Sequence, residues 1–237
     1  MSEFEKSQSL GNRILAALPR EEYERLAPRM QPCAFEQGDS IYEPNEPIEH
    51  AYFPLGGMVS VLTPMQDGSS VEVGVVGREG FLGFPPLIGI ESAPTNTMSQ
   101  IPGPALKIEA GVLKQEFDRG GTLQLILNRY IHAQVTQLSQ VAACNRLHDV
   151  NERLARWLLL AHDRVEEDRL QLTHEFLSQM LGANRATVSL TAGVFQQAGL
   201  IRYTRGMVTV LNRVGLETAA CECYGVMRAE LDRPLVA

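Results

Sequence analysis

The sequence predicts an α+β protein: a front half built as an all-β sandwich or barrel, then helices ending in a winged helix-turn-helix. Three observations carry this. Residues 32–104 hold 10 of the 13 prolines and 10 of the 20 glycines, with short β-type runs between them. Residues 122–181 hold neither residue, and apolar side chains there recur every three to four positions. Leu172 to Ser189 then reads as two short helices around Gly182, followed by a helix stop and a β-hairpin pattern.

In the front half the runs Ala51-Tyr52-Phe53, Met58 to Leu62 and Val71 to Val76 alternate with turn signals such as Gln66-Asp67-Gly68-Ser69. Many short strands with frequent turns indicate a sandwich or barrel. The expected divisions are a β domain over 13–118, a long helix over 119–145, a DNA-reading domain over 146–219 and a tail over 220–237. On the long helix Leu123, Leu127, Tyr130, Gln134, Leu138 and Val141 form one stripe, interrupted in its apolar character by Gln134 and Gln137. Such a stripe suits either a dimer interface or packing on the chain's own barrel. The next helix opens on Asp149 with Glu152 three residues on, a capping-box pattern. Val150, Leu154, Trp157, Leu158, Ala161 and Val165 supply its core face, with Trp157 structural.

The chain of 237 residues can hold two modest domains and carries a net charge of −7. That balance argues against a general polyanion binder, but it is uneven. Residues 1–144 carry 10 basic and 17 acidic side chains; residues 145–237 carry 11 of each. Residues 176–216 contain no acid and four arginines, Arg185, Arg202, Arg205 and Arg213. Attraction to phosphates is local at physiological salt, so this stretch outweighs the total. No apolar run approaches the roughly 18 residues that span a bilayer, and the acidic N-terminus lacks a signal core. The expectation is a cytoplasmic protein with no membrane contact. Four scattered cysteines do not make a disulfide framework.

Thr173 is placed to cap the first helix of the motif and Asn184 the second. Gly182 permits the turn between them, and Gly199 ends the second helix. Val188, Ala192 and Phe195 face inward, which leaves Arg185 with Ser189, and Ala186 with Leu190, on outward rows. The N-terminal residues of such a helix reach base edges. Arg185 is the candidate for a bidentate contact with guanine, Leu190 for a thymine methyl, and Thr187 and Ser189 for phosphates or bases. Arg202 and Arg205 belong to the hairpin wing. Gly193 has no functional account.

The order of these parts resembles the Crp/Fnr superfamily, named for the cyclic-AMP receptor protein and the fumarate-nitrate-reduction regulator. The likeness spans roughly residues 13–219 and is strongest from Thr173 to Gly206, with Gly182, Asn184-Arg185, Thr187-Val188 and Gly199-Leu200-Ile201 in place. In the front half Phe35-x-x-Gly38-Asp39-x-Ile41-Tyr42, Gly57-x-Val59 and Gly80-Phe81-x-Gly83 look like landmarks of the family's β-roll, a cyclic-nucleotide-binding-like double-stranded β-helix. The resemblance implies a homodimer joined along the long helix, a palindromic double-stranded DNA site, and an effector pocket near Gly80, Phe81, Gly83, Phe84, Thr95 and Asn96. RNA polymerase is a common partner in the family, though no motif for it is readable here. Two departures stand out. Cyclic-AMP-binding members carry Glu where this chain has Phe84, and later an Arg on the cyclic phosphate where Ala93 to Met98 has none. A buried phosphate without a cation is costly, so the small-molecule effector, if one exists, is expected to differ from cyclic AMP. Iron–sulfur members use clustered N-terminal cysteines, where this chain has Cys33 alone; no cofactor is expected.

Two other chemistries compete. A metal-dependent barrel enzyme needs clustered histidines and carboxylates, and the front half offers only His50, so the expectation is that the chain is not an enzyme. Cys144 and His148 at i, i+4, with Cys221 and Cys223, have the residue types of a zinc site or a thiol switch. The plainer expectation is that they are packed and incidental.

Overall fold

A computed structural model describes residues 11–165 and 167–233. The chain divides into two compact units. One takes the described residues of Met1–Val61, Val75–Val135 and Leu231–Ala237; the other takes Leu62–Gly74 and Thr136–Glu230.

The described chain opens with helices α1 (Arg13–Ala16) and α2 (Arg20–Leu26), and the strands that follow form a β-roll, the β4–β5 hairpin tip belonging to the second unit. These are β1 (Gln31–Phe35), β2 (Ser40–Tyr42), β3 (His50–Pro54), β4 (Met58–Pro64), β5 (Ser70–Val76), β6 (Asn96–Ile101) and β7 (Gly103–Glu109). They assemble as two sheets, ordered β1-β7-β3 and β2-β6-β4-β5. The pairing of β7 is antiparallel on both sides, Gln31 opposite Lys107 and His50 opposite Glu109. Helices α3 (Ala110–Asp118) and α4 (Thr122–Leu147) follow.

One buried asparagine ties the start of the chain to the roll. Asn12 accepts from the backbone N–H groups of Ile14 and Leu15, and its amide donates to the carbonyls of Pro54 and Gly80 at 2.9 and 2.8 Å. Every polar atom is used, which is what burial demands. The core around it joins Ile14, Leu26, Phe53, Phe81, Ile108, Leu113 and Leu127. Phe81 stacks on Phe53 with ring centroids 5.8 Å apart and lies 5.5 Å from the Tyr130 ring. Gly80 beside it has no room for a Cβ, because the Tyr130 ring occupies that space.

The first half of the stripe on α4 packs on the chain's own core. Leu123, Leu127 and Tyr130 are buried in their own unit's core, and Gln134 completes the contact by donating to the Tyr130 hydroxyl at 2.7 Å. Its N-terminus is capped from α2: the Glu22 carboxylate accepts from the N–H groups of Thr122 and Leu123 at 3.0 and 2.7 Å, where the helix dipole favours an anion. Three apolar side chains of α4 stay exposed, Leu125, Val135 and the stripe's own Leu138.

The second unit contains α5 (Val150–His162), β8 (Arg169–Gln171), α6 (His174–Leu181), α7 (Arg185–Gln197), β9 (Ile201–Thr204), β10 (Met207–Val210), α8 (Arg213–Ala219) and α9 (Glu222–Leu231). The Asp149–Glu152 capping box is formed by both of its hydrogen bonds. Helix α5 is buried all round from Arg153 to Ala161, more completely than a one-sided stripe requires. Trp157 is its anchor: its indole donates to the buried Glu72 carboxylate at 2.7 Å and its ring meets Phe176 edge-on at 6.0 Å. Gln179 of α6 donates to Ser70 at 2.8 Å from the same β4–β5 hairpin tip. Residues 220–237, expected as a tail, include α9, which buries Cys223, Tyr224 and Met227.

Candidate nucleic-acid interface

The two short helices form where the caps place them. The Thr173 hydroxyl accepts from the Phe176 N–H at 3.1 Å, and Asn184 accepts from the Ala186 N–H at 2.8 Å. Between them Gly182 takes φ +53°, the left-handed conformation that closes α6. Leu177, Met180 and Leu181 of α6 and Val188, Ala192 and Phe195 of α7 are buried. The wing is a tight hairpin. Thr204 pairs with Met207, so Arg205 and Gly206 alone make the turn, at φ +50° and +79°. Two consecutive positive φ values match the twist of the flanking strands. Strand β10 also pairs with β8, giving the order β8-β10-β9.

This places a helix N-terminus and an arginine-bearing turn on one small scaffold. Arg185, Ala186, Thr187 and Leu190 are exposed on α7, Leu190 by 73%. Arg202 and Arg205 are exposed on the wing. Two residues of this stretch have partners within the domain. Ser189, expected to reach phosphates or bases, is half-buried and bonded to His174 Nδ1 at 2.8 Å. Arg213, counted with the cationic stretch, is an internal strut: its guanidinium meets Asp163 at 2.6 Å, Glu217 at 3.0 Å, Tyr224 at 2.6 Å and His162 at 2.8 Å. The acid-free stretch thus meets acids from outside itself. Glu175 likewise approaches Arg185 at 3.6 Å, but both side chains are exposed, and such a pair is worth about 1 kcal/mol or less.

His174 escaped the sequence reading, because nothing in its spacing marks it. Its ring stacks on Tyr203 of the wing at 4.0 Å while Nδ1 meets Ser189 of α7. One side chain therefore joins α6, α7 and the wing. Burial, then the charge of Arg185, holds its pKa below the usual histidine value.

The residues expected around an effector lie in or beside the β-roll. Phe81 is in the core, Gly80 is filled by Tyr130, and Phe84 is partly exposed. Gly83, at φ +90°, abuts the Tyr42 hydroxyl. Thr95 is half-buried, and Asn96 approaches the Glu43 carboxylate at 3.5 Å. A cleft of about 200 Å³ nearby is lined by Ser40, Ile41, Tyr42, Glu43, Glu46 and Pro47. By contrast, Cys144, His148, Cys221 and Cys223 come together, their ligand atoms all within 4.8 Å of one another. No helix of the described residues is long and apolar enough to cross a membrane.

A β-roll with a winged helix-turn-helix defines a class of protein that reads DNA. Comparison with known proteins agrees at both ends of the chain. Residues 32–119 match the cyclic nucleotide-binding domain, and residues 152–219 match the Crp-like helix-turn-helix domain. The global nitrogen regulator of Synechocystis sp. is 23% identical over 218 residues, 86% of this chain and 95% of that protein. A CRP-like cAMP-activated global transcriptional regulator of Mycobacterium tuberculosis is 23% identical, over 75% of this chain and 82% of its own. Among solved structures, a Crp/Fnr-family transcriptional regulator from Eubacterium rectale shares the fold with a TM-score of 0.68 at 16% identity, covering 89% of this chain and 98% of that one. FixK2 from Bradyrhizobium japonicum gives 0.67 at 16%, covering 81% and 98%. The chain belongs to the Crp/Fnr superfamily and is a DNA-binding transcriptional regulator.

Proposed function

We propose that the protein works as a cytoplasmic homodimer on a palindromic operator, and that its signal is not cyclic AMP. The observation that carries the DNA assignment is the capped N-terminus of α7, which presents Arg185, Ala186, Thr187 and Leu190 to solvent beside Arg202 and Arg205. Arg185 reads a guanine through its planar fork, and Leu190 packs on a thymine methyl. Thr173 and Asn184 serve as caps that set the approach, while the wing arginines hold phosphates. A pair of such readers matches a two-fold DNA site. The exposed Val135 and Leu138 of α4 supply the dimer contact.

The M. tuberculosis relative is named as cAMP-activated. Here Phe84 and the arginine-free stretch Ala93 to Met98 offer a cyclic phosphate no cation, and the nearby cleft adds the carboxylates of Glu43 and Glu46. An anionic ligand meets repulsion there. The reading is regulation of transcription without catalysis, with RNA polymerase as the natural further partner.

Selection of bound genomic fragments with the purified protein yields the operator. Arg185→Ala then loses discrimination at one base pair per half-site, by about 1–3 kcal/mol. Arg205→Ala weakens all sequences alike and lowers the salt slope by about one. Uniform loss across sequences for Arg185→Ala refutes its role. Addition of cyclic AMP changes neither affinity nor operator; a clear gain in affinity refutes the effector reading.

A further inference from the structure

The four residues Cys144, His148, Cys221 and Cys223 form a compact donor set made by two distant pieces of chain. Cys144 lies in the last turn of α4 and His148 just beyond it, four residues on. Cys221 and Cys223 flank Glu222 where α9 begins. Cys144 Sγ is 3.5 Å from Cys221 Sγ, and Cys223 Sγ is 3.6 Å from His148 Nδ1. A tetrahedral zinc ion with ordinary Zn–S and Zn–N bonds holds its ligand atoms about 3.5–3.8 Å apart. All three thiols are buried and none is in a disulfide.

Two features outside the four ligands point the same way. The other ring nitrogen of His148, Nε2, faces the Glu222 carboxylate at 3.2 Å. A carboxylate there holds the proton on Nε2 and leaves the Nδ1 lone pair turned toward Cys223, the usual second partner of a metal-bound histidine. The guanidinium groups of Arg153 and Arg156 are also buried, and Nε of each has no hydrogen-bond partner. Among the described residues neither pairs with a carboxylate. Arg153 lies within electrostatic reach of Cys144 and Cys221. Buried cations without a counter-ion are costly. Three thiolates, one neutral imidazole and Zn²⁺ carry a net charge of −1, the sign these arginines lack.

We propose that Cys144, His148, Cys221 and Cys223 bind one zinc ion as a closed, four-ligand structural site. On binding, each thiol gives its proton to solvent, three in all, and no electron moves. The donor set of three sulfurs and one nitrogen selects a thiophilic ion over magnesium or calcium. No position is left for water, so the ion is structural. Its effect is topological: it fastens the end of α4 to the start of α9 and closes a loop around the DNA-reading segment from α5 to α8. Closing a long loop removes chain entropy from the unfolded state.

The test uses the full chain, purified with a reducing agent and without chelator or affinity metal. Elemental analysis returns about one zinc per chain. Cobalt(II) added to apoprotein gives the thiolate-to-cobalt absorption and the intense visible bands of a tetrahedral site, and zinc bleaches both. Cys33→Ser keeps the metal. Cys221→Ser and Cys223→Ser fall well below stoichiometry. Should either serine variant fail to fold, His148→Cys decides: it retains the metal and strengthens the sulfur charge-transfer band. Stripping zinc lowers the thermal midpoint of the wild type. Absence of metal, iron in its place, a Cys144–Cys221 disulfide in the reduced preparation, or full zinc in Cys221→Ser each overturns the site.

Discussion

Arg213→Ala separates a structural arginine from a DNA-contacting one. Four partners converge on this guanidinium, and the Arg213 and Asp163 side chains are about 30% exposed. Truncation leaves Asp163 and the Tyr224 hydroxyl to one another, at 2.9 Å, and frees Glu217 to seek Arg228 at 3.6 Å. Charge-assisted hydrogen bonds at such sites are worth about 1.5–3 kcal/mol each. Relaxation and partial solvent access offset much of that sum. The expected loss is about 2–3 kcal/mol, or roughly 5–10 °C in thermal midpoint. Urea unfolding followed by intrinsic fluorescence measures it. Operator affinity, taken below the variant's transition, stays within about twofold of wild type, since a residue that touches no phosphate leaves the salt slope alone. Stability within about 0.5 kcal/mol of wild type, combined with a shallower salt slope, refutes the strut and places Arg213 on the DNA surface.

Gly193→Ala is expected to raise stability by about 1 kcal/mol, because a Cβ there meets no other atom and glycine is costly inside a helix; no change in the urea midpoint contradicts this. His174 sets a pH dependence whose sign follows from its depressed pKa. The unfolded histidine binds its proton near pH 6.5 and the folded one only below that, so stability is full above about 6.5 and falls as pH drops through the folded value. His174→Gln flattens the fall between pH 7 and 5; an unaltered slope in the variant removes His174 as its source.

The DNA-reading helices were legible because their boundaries are set locally. Thr173, Gly182 and Asn184 each act within four residues of themselves. The stripe on α4 was legible as a stripe, but periodicity says that a face is buried and not which surface buries it; Tyr130 settles that against Gly80. The acid-free stretch misled because charge pairing is three-dimensional, and Asp163 and Glu217, both outside the window, reach Arg213. Leu190 stands out as read, whereas Ser189, one residue before it, is claimed by His174 fifteen positions earlier. The four residues of the thiol cluster were legible as a donor set, but not their convergence, since Cys144 and Cys221 are 77 residues apart.

Trp157 is the only tryptophan in the chain. Its indole is hydrogen-bonded to Glu72 and edged against Phe176 at the start of α6, so its emission is tied to the packing of the DNA-reading unit. The protein thus carries a built-in optical probe at one known position. Titration with operator DNA can be followed by that single fluorophore without a label, and a shift in its wavelength reports a change in the shell around α5.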